Sequence, residues 1–150
     1  MRSNKLIIII VFLLFTSTAF ADDTCTIRVN KLNFGEYSSI AAAHTDVDTT
    51  IELDCPPAIT ALVKIDAGEN AQGEINFHQR NLRSSKGYYL KYNLYIDATR
   101  SRVWGDGTNN SYTATIRAGQ SQLTIYGRIP ARQNIPQGYY TDRVSVTIEW

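Results

Sequence analysis

The chain is poor in the residues that active sites draw on. It has two histidines, two cysteines and one methionine among 150 residues. His44 and His78 each stand in polar loop sequence, far apart along the chain. There is no GxSxG elbow, no HExxH pair and no glycine-rich phosphate loop. No catalytic residue, no cofactor and no enzyme activity is therefore expected. Two sulfurs do not make a zinc site, and neither cysteine lies in a CxxC pair. Asp46, Asp48 and Asp54 lack the glycine and terminal glutamate of a calcium loop, and Asp46 and Asp48 read as the polar side of a strand start. A charge excess is missing too. Taking Arg2 and Lys5 from the 15 basic residues leaves 13 against 14 acidic ones. That balance argues against nucleic acid or an anionic membrane as partner.

Long apolar runs are confined to the N-terminus. Arg2 and Lys5 precede an unbroken apolar stretch over residues 6–15, and Ala19-Phe20-Ala21 follows as an A-x-A cleavage site. The stretch is too short to span a bilayer, which takes about 20 residues. Residues 1–21 thus read as a cleaved export signal, and residues 22–150 as one exported domain. In an oxidising compartment the isolated pair Cys25 and Cys55 is most simply one disulfide.

Helical periodicity is absent as well, and period-two alternation takes its place. Cys25, Ile27 and Val29 alternate. Leu32 and Phe34 resume one residue out of step, which predicts a break near Asn30-Lys31. Further alternating strands run over residues 47–55 and 59–65. The polar stretch 72–86 holds at most a short edge strand at 79–82. Tyr88, Leu90, Tyr92, Leu94 and Ile96 form one face of the next strand. Shorter strands follow at 112–116 and 123–129. The last strand carries Val144, Val146, Ile148 and Trp150 on one face, and Arg143, Ser145, Thr147 and Glu149 on the other. It is expected to run to the final residue. Chain ends fray unless tied down, so this strand must pair with its own sheet or with another chain. Seven to nine short strands broken by turn signals predict an all-β, antiparallel, immunoglobulin-like or jelly-roll-like sandwich. Tyr88, Tyr89, Tyr92 and Tyr95, with Trp104, could bind sugar, although tyrosine also suits strands.

Several stretches taken together resemble the spore coat protein U-like domain, found in subunits of archaic chaperone–usher pili. They are the Cys25 strand leading to Phe34-Gly35-Glu36-Tyr37, Thr50-Ile51-Glu52-Leu53-Asp54-Cys55, and Arg80-Asn81-Leu82. Next come Leu90-Lys91-Tyr92-Asn93-Leu94-Tyr95-Ile96-Asp97 with Trp104, then Thr124-Ile125-Tyr126-Gly127-Arg128-Ile129-Pro130. Gly138-Tyr139-Tyr140-Thr141-Asp142, running into Val146-Thr147-Ile148, completes the set.

The resemblance implies an immunoglobulin-like sandwich missing one strand. A periplasmic chaperone would lend a strand, and at an outer-membrane usher a neighbouring subunit would replace it. Val144, Val146, Ile148 and Trp150 would line the groove. The function implied is that of a subunit of a secreted surface fibre for adhesion and biofilm formation. Only Asp22-Asp23-Thr24 would precede Cys25 after cleavage, so such a subunit is expected to accept a strand without giving one, as at a fibre tip. Two other readings remain open. One is a free-standing secreted or coat protein with a complete sandwich; the other is a carbohydrate-binding module.

Overall fold

The computed structural model describes residues 24–56, 59–72, 76–117 and 119–150. Within them lie nine strands: β1 Thr26–Val29, β2 Thr45–Asp54, β3 Ala61–Ile65, β4 Arg80–Ser84, β5 Tyr89–Tyr95, β6 Ala114–Ile116, β7 Gln122–Ile129, β8 Tyr140–Thr141 and β9 Val146–Glu149. No helix occurs among the described residues. The strands form a six-stranded sheet in the order β1-β2-β7-β5-β4-β8 and a three-stranded sheet β6-β3-β9. Every strand pair is antiparallel.

The alternation read in the sequence is what lets the sheets close on each other. Ile51 and Leu53 of β2, Leu90, Tyr92 and Leu94 of β5, and Ile125 and Ile129 of β7 point inward from the large sheet. Ala61, Val63 and Ile65 of β3 and Ile116 of β6 meet them from the small one. Burying each large aliphatic side chain stabilises by about 1.5–3 kcal/mol. Gly127 is part of this packing. A Cβ there would come within 2.8 Å of Leu32 Cδ2 and 2.9 Å of Phe34 Cζ. The missing side chain admits the segment that follows β1, and Phe34 stacks edge-on to Tyr92 at 6.0 Å between centroids.

The expected break after β1 is present. β1 stops at Val29, and Asn30 bonds back to β2 through its backbone N–H to the Thr50 carbonyl at 3.1 Å and its side chain to Thr50 Oγ1 at 2.9 Å. Val29, read as part of the apolar face, is instead exposed. Cys25 and Cys55 form a disulfide. They lie one step beyond the paired residues Thr26 and Asp54. The bridge therefore closes the β1–β2 register across a 30-residue separation, with the two Cα atoms 4.3 Å apart.

Two expectations need correction. The strand at 80–84 is no edge strand: β8 pairs along its outer side, Arg83 to Thr141 and Ser84 to Tyr140. The last strand does not run unbroken to Trp150 either. It is split into β8, which belongs to the large sheet, and β9, which belongs to the small one. The crossover is fixed by Asp142, whose carboxylate turns inward. Its Oδ2 accepts the Tyr92 hydroxyl at 2.6 Å, and its Oδ1 accepts the Asn70 backbone N–H at 3.2 Å and side-chain Nδ2 at 2.8 Å. Gly68, at φ +85°, leaves room for that carboxylate.

Candidate functional site: the free edge of the last strand

β9 is bonded on one side only, to β3, with Ile65 opposite Val146 and Val63 opposite Ile148. The direction of its backbone groups follows from one bond beyond the strand: the Asp66 N–H donates to the Ser145 carbonyl at 3.0 Å. Ser145 therefore faces the β3 side. Because backbone groups alternate along an antiparallel strand, Thr147 and Glu149 face β3 too. Val146 and Ile148 then turn their N–H and C=O to the opposite edge, which no strand among the described residues covers. The side chains of these same two residues lean on the core and remain half-buried. Apolar side chains inward with unpaired backbone outward is the geometry of an edge open to strand addition.

The sequence-nominated row is thus placed as follows. Val144, Val146 and Ile148 all pack on the core cluster while partly exposed. Trp150 lies beyond the strand and is 61% exposed. β1 shows a similar pattern at the end of the other sheet. Asn30 pairs with Thr50, so Arg28 faces β2, and Ile27 and Val29 turn their backbone groups outward. Among the described residues, nine of the fourteen partly buried apolar residues packed on this core cluster come from 27–37 and 135–148.

Other candidates are absorbed by structure. Trp104 is fully buried and donates its indole N–H to the Val63 carbonyl at 2.9 Å. Tyr92 is buried against Asp142. Burial, reinforced by the Asp142 hydrogen bond, pushes the Tyr92 hydroxyl far up, and burial also raises the Asp142 carboxyl. Neither ring can stack on a sugar; of the nominated set, Tyr88 and Tyr89 are exposed. Asp46 receives Arg128 Nε and Nη2, both at 2.7 Å, and Asp48 receives Arg100 Nη2 at 2.6 Å. The Arg128 hydrogen bonds, with Arg100 nearby, hold the Asp46 carboxyl below its ordinary value despite some burial. No three metal-ligating side chains cluster among the described residues. His44 Nδ1 accepts the Ala131 N–H at 3.1 Å, and His78 Nε2 lies 3.1 Å from the Asn109 carbonyl.

Sequence reasoning missed Arg80, a fully buried cation. Its Nε and Nη2 donate to the Asp66 carbonyl at 3.0 and 2.5 Å. Its Nη1 reaches the Phe77 carbonyl at 3.2 Å and Asn93 Oδ1 at 2.7 Å. Nη2 also reaches the carbonyls of Ile65 at 3.3 Å and Trp104 at 2.7 Å. Burial draws its pKa down to about 10, which leaves it charged at neutral pH. The guanidinium ties β4 and β5 to the end of β3, and so fixes where the chain leaves the strand that supports β9. Its only sequence signal was the Arg80-Asn81-Leu82 stretch.

Comparison with known proteins identifies the fold and then the family. The structure superposes with TM-score 0.60 and 23% identity on a chain of the chaperone–tip adhesion subunit complex CsuC–CsuE, from the archaic chaperone–usher Csu pili of Acinetobacter baumannii. The match covers 85% of this chain and 40% of that one, so this chain spans about two fifths of its neighbour's length. The fold is therefore the immunoglobulin-like antiparallel sandwich of a pilus-subunit structure. The sequence model of the Spore Coat Protein U domain matches residues 11–147. Protein U of Myxococcus xanthus is 30% identical over 128 residues, covering 78% of this chain and 70% of that protein. The chain belongs to the spore coat protein U domain family. Its family match starts inside the stretch read as an export signal, which lies outside the described residues.

Proposed function

We propose that this protein is a structural subunit of a surface fibre of the archaic chaperone–usher kind, completed by a strand supplied in trans along β9. One observation carries the reading: Val146 and Ile148 turn outward backbone groups that no strand among the described residues pairs, while their side chains lie half-buried on the core. A donated strand would pair with that backbone and place alternate apolar side chains against Val144, Val146, Ile148 and Trp150. Backbone bonds give such pairing affinity, and the side-chain positions give it selectivity. A periplasmic chaperone would be the first donor and a neighbouring subunit the second, exchanged at an outer-membrane usher. Residues 1–21 would direct export and be removed, and the mature domain would pass through the periplasm to a cell-surface pilus serving adhesion and biofilm formation. Co-expression tests this. The domain should accumulate in the periplasm as a one-to-one complex with its chaperone, and be degraded or aggregated without it. Equal yields of folded monomer in both cases would defeat the reading.

A second reading keeps support from the core itself. Ile51, Val63 and Ile65 are fully buried, and no buried side-chain polar atom among the described residues lacks a partner. A sandwich closed to that degree could stand alone as a secreted or coat protein. A fibre-tip position is a refinement of the first reading, and the donor-peptide experiment that closes the Discussion separates it from this one.

A further inference from the structure

The far end of the large sheet carries a surface of a different character. β4 lies between β5 and β8 with Arg83 opposite both Tyr89 and Thr141. Directly paired residues share a face, and Lys91, two residues past Tyr89, shares it too. All four are exposed. The Arg83 guanidinium lies over the Tyr89 ring, 5.8 Å from its centroid. Lys86 sits on the β4–β5 turn, which the Gly87 N–H to Ser84 carbonyl bond closes at 2.9 Å. Arg132 adjoins Gln133, whose side chain clasps both backbone groups of Lys91 at 2.8 and 2.9 Å. Tyr139, just ahead of β8, is 95% exposed.

Several basic side chains elsewhere on the molecule are paired, although Arg28, Lys31 and Arg117 also lack a carboxylate within 4.0 Å among the described residues. Arg100, Arg102, Arg128 and Arg143 each have a carboxylate within 4.0 Å. Arg83, Lys86, Lys91 and Arg132 have none among the described residues. The sequence explains why: neither residues 79–91 nor residues 130–141 contain an Asp or Glu. Four cations with no carboxylate partner among the described residues, and exposed tyrosine rings, thus lie near one end of the large sheet.

We infer that this face is a binding surface for an acidic polysaccharide. Carboxylates spaced along a uronic-acid chain match cations spread over neighbouring strands, and a planar guanidinium held over Tyr89 is disposed for bidentate pairing. The apolar faces of sugar rings suit an exposed, amphipathic tyrosine such as Tyr139. Cations and exposed tyrosine rings spread over paired strands suit an extended, negatively charged glycan. The inference does not depend on how β9 is used.

The test is calorimetric titration of the folded, exported protein with polygalacturonate, with uncharged dextran as control, at low salt. Polygalacturonate should bind and dextran should not, and the binding should weaken as salt is raised. Tyr139→Ser and the double change Arg83→Gln with Lys91→Gln should each weaken binding about tenfold. The double change Arg28→Gln with Arg117→Gln removes the same charge elsewhere and should stay within about twofold. Tyr139 is too exposed for its replacement to unfold the domain, so a loss there reports on binding. Failure to bind polygalacturonate, equal binding of dextran, an equal loss in the control double, or tighter capture by phosphatidylglycerol vesicles through these same residues would each overturn it.

Discussion

Arg80 and Asn93 meet inside the sandwich, the guanidinium Nη1 donating to the amide Oδ1 at 2.7 Å, on neighbouring strands of one sheet. Around that contact the same guanidinium satisfies four backbone carbonyls at the end of β3, the turn before β4 and the loop after β5. Replacing Arg80 by leucine would strand all of them. Leaving a buried acceptor unsatisfied typically costs about 1–3 kcal/mol, so losing this set of bonds should cost several kcal/mol. Urea denaturation of Arg80→Leu should show a loss of that size, against less than about 0.5 kcal/mol for the exposed Arg117→Gln. Comparable midpoints for the two variants would mean the network is dispensable.

The disulfide should matter at the other end of the molecule. Cys25 and Cys55 enclose a 30-residue separation, which corresponds to about 3–4 kcal/mol of chain-entropy stabilisation. Non-reduced mass spectrometry should show the protein about 2 Da lighter than its thiol form, two hydrogens being lost per bridge. Reduction should lower the melting temperature. Free thiols in periplasmic material, or a melt insensitive to reductant, would contradict the assignment.

Acid sensitivity should trace in part to Asp97. Burial alone would raise its carboxyl, but hydrogen bonds from Thr99, the Arg102 N–H and Ser101 together hold it well below the ordinary value. A depressed folded pKa contributes stability above the unfolded value near 3.8, and that stability is lost as pH falls through the folded one. Asp97→Asn should therefore destabilise at pH 7 and lose its penalty progressively below about pH 4. Asp142 should act with the opposite sign. Its carboxyl is raised by burial, so its contribution is most favourable below the unfolded value and declines as pH rises through the folded pKa. Denaturation curves of Asp97→Asn and Asp142→Asn from pH 3 to 7 check both slopes; parallel pH profiles for the two variants would refute the assignment.

The strands with clean alternation were open to sequence reading, because each turns alternate apolar side chains to the core. β2, β5 and β7 stand close to where the pattern puts them. β4 was obscured by its own chemistry. Arg80 and Asn81 are polar and buried, so a hydrophobicity pattern reads them as loop or edge. The split between β8 and β9 was hidden for another reason: alternation is the same whichever sheet a strand joins. What diverts the chain is Asp142, held by Tyr92, 50 positions away, and by Asn70, 72 positions away. Trp104 is buried, in line with the structural reading of the aromatic set, but its indole bond to the Val63 carbonyl was not legible in the sequence. The groove row was named through family resemblance. Its half-burial and outward backbone needed the β3 pairing register.

Adjacent residues of β9 should respond very differently to charge. Ile148 leans on the core, while Glu149 is outward and paired with Lys64 at 2.6 Å. Ile148→Asp would put an unpaired charge against the core at a cost of several kcal/mol. Glu149→Lys forfeits an exposed pair worth at most about 1 kcal/mol. Periplasmic yield and chaperone co-purification should collapse for the first and persist for the second. Equal effects would mean the register of β9 is wrong.

The central claim is that the free edge of β9 accepts a strand from another chain, and refolding with donor peptides tests it most directly. The mature domain is purified without chaperone, and peptides copied from the N-terminal extensions of neighbouring subunits are added. The account predicts an unstable or aggregating domain that an alternating apolar peptide rescues, with a large rise in melting temperature. It also predicts that Ile148→Asp abolishes the rescue. A stable monomer whose melting temperature is indifferent to every peptide would contradict the account and leave a self-complete secreted protein in its place.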